Sequence, residues 1–339
     1  MLMALKLAHR ASLMVLLICT DKLHCNVDPP EEIKIIDPGH LGRLEITWTL
    51  PSGLINTQEC AIHYQLEYFN AYTKRWDVIQ TPQRTYSAQF DLMKDISVRV
   101  YTLLGGCGTN NTWIKSLNYK ELVQKPPGTG RHGKAVKDFG CVIYNMEHMI
   151  CNWNKHPNAP ASSQFHMYYW HNELEKTEEC PKYLFTNEVK SGCNFTGKHF
   201  PDFTDINFCV NGSSSEGPLM PTYACIQIQN YVKLDHADKP VLLTGQLAHI
   251  NLLWRKPDGR VPEHCLEWEV EHTKEGPHGK NESQRISTMH TRLTFPTVGN
   301  KERNCFTVRS RVHKYCAERS FWSEWSPYAC HSGGSKFDN

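Results

Sequence analysis

Two tryptophans stand three residues apart in Trp322-Ser323-Glu324-Trp325-Ser326, downstream of the run Cys305-Phe306-Thr307-Val308-Arg309-Ser310-Arg311-Val312. That run alternates apolar and polar positions, so it reads as a strand with Arg309 and Arg311 on one face. An indole is the best partner for a guanidinium in a cation–π stack, worth about 0.5–2 kcal/mol depending on exposure. Tryptophans three apart and arginines two apart can interleave along a sheet. Trp322, Ser323, Trp325 and Ser326 with Arg309 and Arg311 are therefore expected to form a structural ladder, and a ladder needs a sheet beneath it.

The remainder of the chain supplies sheets in repeated form. Arg43-Leu-Glu-Ile-Thr-Trp-Thr-Leu-Pro51 is followed by Ala61-Ile-His-Tyr-Gln-Leu-Glu-Tyr-Phe69 and Ile96-Ser-Val-Arg-Val-Tyr101. Later, His249-Ile-Asn-Leu-Leu-Trp254 is followed by Leu266-Glu-Trp-Glu-Val-Glu271 and the arginine strand. In both sets a tryptophan ends the early strand and a Glu/aromatic alternation comes next, a weak internal repeat. Trp48, Trp153 and Trp254 read as core residues. A Pro/Gly-rich stretch from Lys125 to Gly133 and a polar stretch from Leu234 to Pro240 divide the chain. The expected architecture is all-β, with three tandem β-sandwich domains of the immunoglobulin/fibronectin type III kind. They span 25–125, 135–236 and 237–332, with a linker at 126–134 and a tail at 333–339.

Residues 1–24 read as a secretory signal peptide, because Lys6, His9 and Arg10 precede a short apolar run from Ala11 to Ile18. Fourteen cysteines behind such a segment indicate disulfides made in an oxidising compartment. Asn110, Asn194, Asn211 and Asn281 head Asn-x-Ser/Thr acceptor triplets, as expected of a secreted glycoprotein. No run of about 18 apolar residues follows the tryptophan box, so a soluble monomer with no membrane insertion is expected. The net charge of +2 gives no basic block for nucleic acid.

In the middle segment, Cys141 and Cys151 bracket nine residues and Trp153 follows two positions later. A bridge between neighbouring strands fits that spacing. A loop this short contributes on the order of 2.5–3 kcal/mol when closed. The Cys-x9-Cys-x-Trp pattern and the Trp-Ser-x-Trp-Ser box together resemble the class I cytokine receptors. Asp37-Pro-Gly-His-Leu-Gly42, Tyr101-Thr-Leu-Leu104, Cys209-Val-Asn-Gly-Ser-Ser214 and Val308-Arg-Ser-Arg-Val312 resemble, more narrowly, the branch of that family that binds interleukin-13. The resemblance implies Cys180–Cys193 as the second bridge of the middle domain. Cys209–Cys225, Cys60–Cys107, Cys265–Cys305 and Cys316–Cys330 are the remaining expected pairs, although sequence alone does not fix connectivity.

The resemblance also implies a partner: a helical cytokine, interleukin-13 or an interleukin-4-like relative, captured by a chain that acts mainly as a decoy. The ectodomain of a signalling subunit is the alternative. Family members grip the cytokine with loops at the elbow between two sandwiches. That places Tyr315, Glu318, Glu267 and Asn207 among the expected contacts. Trp76, Asp77, Val78 and Ile79, on a short strand that reads as a sheet edge, would add a partner strand by β-augmentation. For each residue the plain alternative is a solvated loop or strand position.

Thrombospondin type 1 repeats also carry Trp-x-x-Trp-Ser, but there a cysteine typically follows the last serine by two positions, and here Cys330 is four beyond Ser326. Eighteen histidines are present without a His-Glu-x-x-His pair, a Gly-x-Ser-x-Gly elbow or a Cys-x-x-Cys pair. No enzymatic activity, cofactor or metal is expected.

Overall fold

The computed structural model describes residues 27–54, 60–105, 113–126, 132–244, 249–275, 281–296 and 303–332. The chain gathers into two compact units. The first contains Glu45–Ala88 and Asp95–Gln124 with the segment up to Ile36. The second contains everything from Lys125 onward, joined by Asp37–Leu44 and Gln89–Lys94.

The first unit is built from a three-stranded sheet and a larger one. Ile33–Ile36, Arg43–Trp48 and Thr85–Gln89 form the small sheet, in that order. In the larger, Arg75–Thr81 pairs Ala61–Asn70, which pairs Ile96–Gly105. Period-two burial runs through these strands: Leu44, Ile46 and Trp48 point inward, and so do Tyr64, Leu66 and Tyr68 and Ile96, Val98 and Val100. Among the described residues Arg75–Thr81 has a single neighbour, so it lies at the edge of the sheet.

The second unit holds two sandwiches in succession. The upper has one five-stranded sheet centred on His148–Lys155 and another centred on Asp205–Ser214. The lower has Val241–Thr244, His249–Leu253 and Arg292–Pro296 on one side. Opposite them stand Asn281–Thr288, Leu266–Glu275, Arg303–Val312 and Ala329–Ser332. One hydrophobic core runs through both sandwiches from Ala135 to Ala317 and includes Trp153, Trp254 and Trp268. Trp48, Trp153 and Trp254 are all buried, as the sequence leads one to expect. Among the described residues no helix is long and apolar enough to cross a membrane.

Cys141 faces Cys151 directly across an antiparallel pair, and the two are bridged. Cys180 and Cys193 are bridged as well. Cys60 is disulfide-bonded, and Cys107 lies outside the described residues.

Three expected pairs are corrected. The lower domain is stapled by Cys265–Cys316 and Cys305–Cys330, not by Cys265–Cys305 and Cys316–Cys330. Register explains this. Leu266 lies opposite Val312 while Thr273 lies opposite Cys305. At about 3.4 Å per residue, Cys265 and Cys305 are therefore more than 20 Å apart at opposite ends of one strand pair. Cys305 instead meets Cys330 directly across the next ladder. Cys209 and Cys225 are not bridged. Cys209 lies opposite Tyr223, and Cys225 lies opposite Asn207, one row further along the same ladder. Burial pushes the Cys225 thiol up to about 12, which keeps the reactive thiolate scarce.

Of the acceptor asparagines, Asn110 lies outside the described residues and Asn281 opens a strand. Asn211 is exposed. Asn194 Oδ1 accepts hydrogen bonds from the Thr196 N–H (2.8 Å) and hydroxyl (2.6 Å).

Candidate functional site

The ladder is longer than the sequence suggests. The Arg309 guanidinium lies 4.6 Å from the Trp322 ring centre and 4.5 Å from that of Trp325. Arg311 lies 4.4 Å from Trp322 on its other side. Arg285, on the neighbouring Asn281–Thr288 strand, extends the array to 5.6 Å from Trp325. Each arginine has its own carboxylate on the Leu266–Glu275 strand: Glu267 with Arg311 (2.9 Å), Glu269 with Arg309 (2.7 Å) and Glu271 with Arg285 (3.1 Å). Arg285 enters the row through register, because it stands directly opposite Glu271.

The two serines dock the box onto the arginine strand. Ser323 donates its N–H to the Ser310 carbonyl (2.8 Å), and its hydroxyl accepts from the Ser310 N–H (2.9 Å). Ser326 repeats the arrangement with Val308 at 2.8 and 3.0 Å. Both serines are buried, and so the spacing Ser-x-x-Ser is as necessary as Trp-x-x-Trp.

The elbow between the two sandwiches of the second unit is a dense polar joint. Asn145 sits at the tip of the hairpin between Val136–Tyr144 and His148–Lys155, with φ of 55°. Its N–H donates to the Lys233 carbonyl, and its own carbonyl accepts from Arg260 N–H. Its side chain is paired with Asp235 through two hydrogen bonds. Gly259 belongs to this joint: a Cβ there would fall 2.7 Å from the Asn145 Cβ and 2.9 Å from its carbonyl oxygen. Arg260 also pairs with Asp202 (2.7 Å), and Lys233 with Glu324 of the tryptophan box (2.8 Å). Sequence reasoning passed over Asn145, Gly259 and Asn230, because their partners lie far away along the chain.

Tyr315 and Glu318 share the turn that follows the arginine strand. Tyr315 is 80% exposed, the extreme among the described large hydrophobic side chains. Its mount is nonetheless fixed. The Tyr315 N–H donates to His313 Nδ1 (3.2 Å), and the two rings lie 4.4 Å apart. Cys316 is tied to Cys265, and the Glu318 N–H donates to Oδ1 of the buried Asn230 (2.8 Å). Glu318 itself is exposed.

The other two expected elbow residues are placed differently. The Glu267 carboxylate is committed to Arg311 in the ladder. Asn207 is 1% exposed and donates to the His40 carbonyl (3.0 Å), beneath a stacked His40–Trp170 pair at 4.0 Å. As folded it has no surface to offer a partner.

In the first unit, Trp76 and Val78 face outward on the edge strand, 38% and 55% exposed. The Arg99 guanidinium covers Trp76 at 4.4 Å, and Asp77 accepts from Asn70 (2.8 Å). Ile79 is half-buried, on the same side of the strand as Asp77.

Comparison with known proteins puts these features in a family. Residues 138–231 match the family described as "Interleukin-6 receptor alpha chain, binding". The interleukin-13 receptor subunit alpha-2 of Canis lupus familiaris is 33% identical over 328 residues, 95% of this chain and 83% of that relative. The chain belongs to the class I cytokine receptor family. The same subunit of Homo sapiens is 32% identical over 91% of this chain and 80% of its own length. The human interleukin-13 receptor subunit alpha-1 is more distant, at 24% over 83% and 66%.

In this cytokine receptor the parts separate cleanly by chemistry. In the ladder every arginine is stacked on an indole and paired with a carboxylate. The Tyr315–Glu318 turn offers an exposed aromatic and an exposed carboxylate on a rigid base, the form in which binding anchors occur. His264, Cys265 and Cys316 are close enough to share a metal, but the two sulfurs are spent on each other.

Proposed function

We propose that this receptor chain captures interleukin-13, outside the cell, through the Tyr315–Glu318 turn at the elbow, and that it does so as a decoy without passing on a signal itself. The observation that carries the binding part is Tyr315: a large ring 80% exposed on a turn held by a disulfide, a ring contact and the Asn230 hydrogen bond. Little side-chain entropy remains to be lost when such an anchor is buried. Glu318 beside it favours basic side chains on a cytokine helix and speeds encounter.

The choice of ligand is supported by the relatives, whose names refer to interleukin-13, with the alpha-2 subunits nearer in identity than the alpha-1 subunit. The edge strand Arg75–Thr81 is the second expected contact. Its outer backbone groups and Val78 suit the addition of one strand from the partner. Glu267 and Asn207 take no direct part in this reading.

The test is a surface-binding titration of the secreted chain against interleukin-13 and interleukin-4 of the same species, with Tyr315→Ala in parallel. Tight binding to the first, weak binding to the second and a large loss in the variant are expected. Absence of binding to both by a correctly bridged protein would sink the ligand assignment. For the decoy role, the chain is added to cells carrying a cytokine-responsive reporter. The reporter should fall in proportion to captured ligand, and a rise in signal would overturn the silent role.

A further inference from the structure

The ladder between Asp205–Ser214 and Gly217–Gln227 slips near its middle. Val210 faces Thr222, but Gly212 faces Leu219, so Met220 and Pro221 together stand against the single residue Asn211. Pro221 has no N–H to give, and proline within a sheet is confined to such irregularities. Asn211 lies opposite the slip, its side chain exposed, at the head of the triplet Asn211-Gly212-Ser213. The sheet opens there into a cavity of about 460 Å³, whose lining includes His166, Tyr168, Asn211, Ser213, Pro221 and Tyr223.

Register fixes what surrounds the Asn211 amide. His166 stands opposite Asn211 on the neighbouring strand. One row further, Tyr168, Cys209 and Tyr223 stand abreast, on the same outward face by alternation. That row is about 7 Å along the strand and about 5 Å to either side, within reach of the first sugar of an N-linked chain. Both tyrosines are half-buried and line the hollow. Flat aromatic faces suit the C–H face of a pyranose, while Ser213 and His166 at the rim can meet its hydroxyls.

We propose that Asn211 carries an N-linked glycan whose first N-acetylglucosamine seats in this cavity against Tyr168 and Tyr223, completing the outer face of the sheet. The transfer joins Asn211 Nδ2 to C1 of the sugar, with loss of an amide proton and of the lipid diphosphate that carried the oligosaccharide. The seated sugar stands in for the strand contact that Pro221 interrupts, and it roofs over Cys209. The occupant is the chain's own modification because the acceptor is itself part of the cavity wall.

The test compares thermal unfolding of the secreted glycoprotein with and without that sugar. Ser213→Ala removes the acceptor triplet and leaves Asn211 in place. It should lower Tm by about 2–4 °C, the shift usual for a single well-made contact in a unit of two sandwiches that share one core. An endoglycosidase that leaves one N-acetylglucosamine on each asparagine should preserve the wild-type Tm, whereas peptide N-glycosidase should not. In a Tyr223→Leu background the Ser213→Ala shift should vanish, and Tyr223→Phe, which keeps the ring, should retain it. An equal shift from Thr196→Ala at Asn194, or an undiminished shift in Tyr223→Leu, would overturn the proposal, because the sugar would then act without a seat. Mass spectrometry showing Asn211 unmodified would overturn it too.

Discussion

Asn145 and Asp235 hold each other twice: the Asn145 amide donates to the Asp235 carboxylate at 2.8 Å, and the Asp235 N–H returns to the Asn145 side-chain oxygen at 2.9 Å. They are 90 residues apart, one on a hairpin of the upper sandwich and the other in the connection to the lower. The elbow is thereby pinned by side chain as well as by core. Asn145→Ala should reduce stability by about 1–3 kcal/mol, since it removes two hydrogen bonds, one of them to a carboxylate. It should also speed amide exchange in the 232–237 connection. Exchange unchanged there would mean that the core alone fixes the joint.

Arg309 is stacked on both sides and paired with Glu269. Arg309→Ala should lower the secreted yield severalfold while the fraction that escapes binds cytokine within about threefold of wild type. Arg309→Lys should rescue poorly, since an ammonium lacks the planar face that stacks between two indoles. Yield and affinity measured on the same preparations separate the two effects. A selective loss of binding at normal yield would move the ladder into the binding site.

Tyr315→Ala should cost at least about 2 kcal/mol of binding, roughly a 30-fold rise in Kd, with little change in Tm. Glu318→Ala should act mostly on the association rate and only at low salt. Glu267→Ala should do the reverse of Tyr315→Ala, lowering Tm because it strands Arg311 in the ladder. Kinetics at two salt concentrations, with melting curves alongside, would show the three signatures.

Peptide mapping under non-reducing conditions should recover Cys265 with Cys316 and Cys305 with Cys330. Cys265→Ser should leave Cys316 as an alkylatable thiol with Cys305 still bridged. A Cys265–Cys305 peptide would refute the strand register.

His272 is buried against Phe295 and Phe306 and bonded to Asn304. Burial is the larger influence and lowers its affinity for a proton, with the Asn304 bond acting the other way and Lys274 adding a small lowering. The unfolded chain therefore takes up a proton near the ordinary histidine value of about 6.5, before the folded protein does. Its contribution to stability is complete above that pH and is lost as pH falls below it. His171, also lowered chiefly by burial, has the same sign. Denaturant midpoints should fall between pH 7 and 5, and the slope should flatten in His272→Phe. A slope equal in both proteins would assign the acid sensitivity elsewhere.

What could be read in the sequence was what depends on near neighbours. The alternation around Arg309 and Arg311 and the short span Cys141–Cys151 each declare themselves within about a dozen residues. So does the Trp76 edge strand, whereas Cys180–Cys193 rests on the family resemblance. The rest depends on register between distant strands. Cys265 could not be paired correctly without knowing that Leu266 faces Val312. Asn207 looks like an outward strand residue until His40, 167 positions earlier, is seen to lie over it. Arg285 joins the ladder only because Glu271 faces it.

The docking of Ser323 and Ser326 has one more consequence. Among the described residues the strand Ala329–Ser332 pairs only with Arg303–Phe306, so the backbone of Val308 and Ser310 would lose its partners if the box swung away. A bare margin of this sort is a template for self-association, blunted here only by the charges of Arg309 and Arg311. The box therefore doubles as a latch on an aggregation-prone seam.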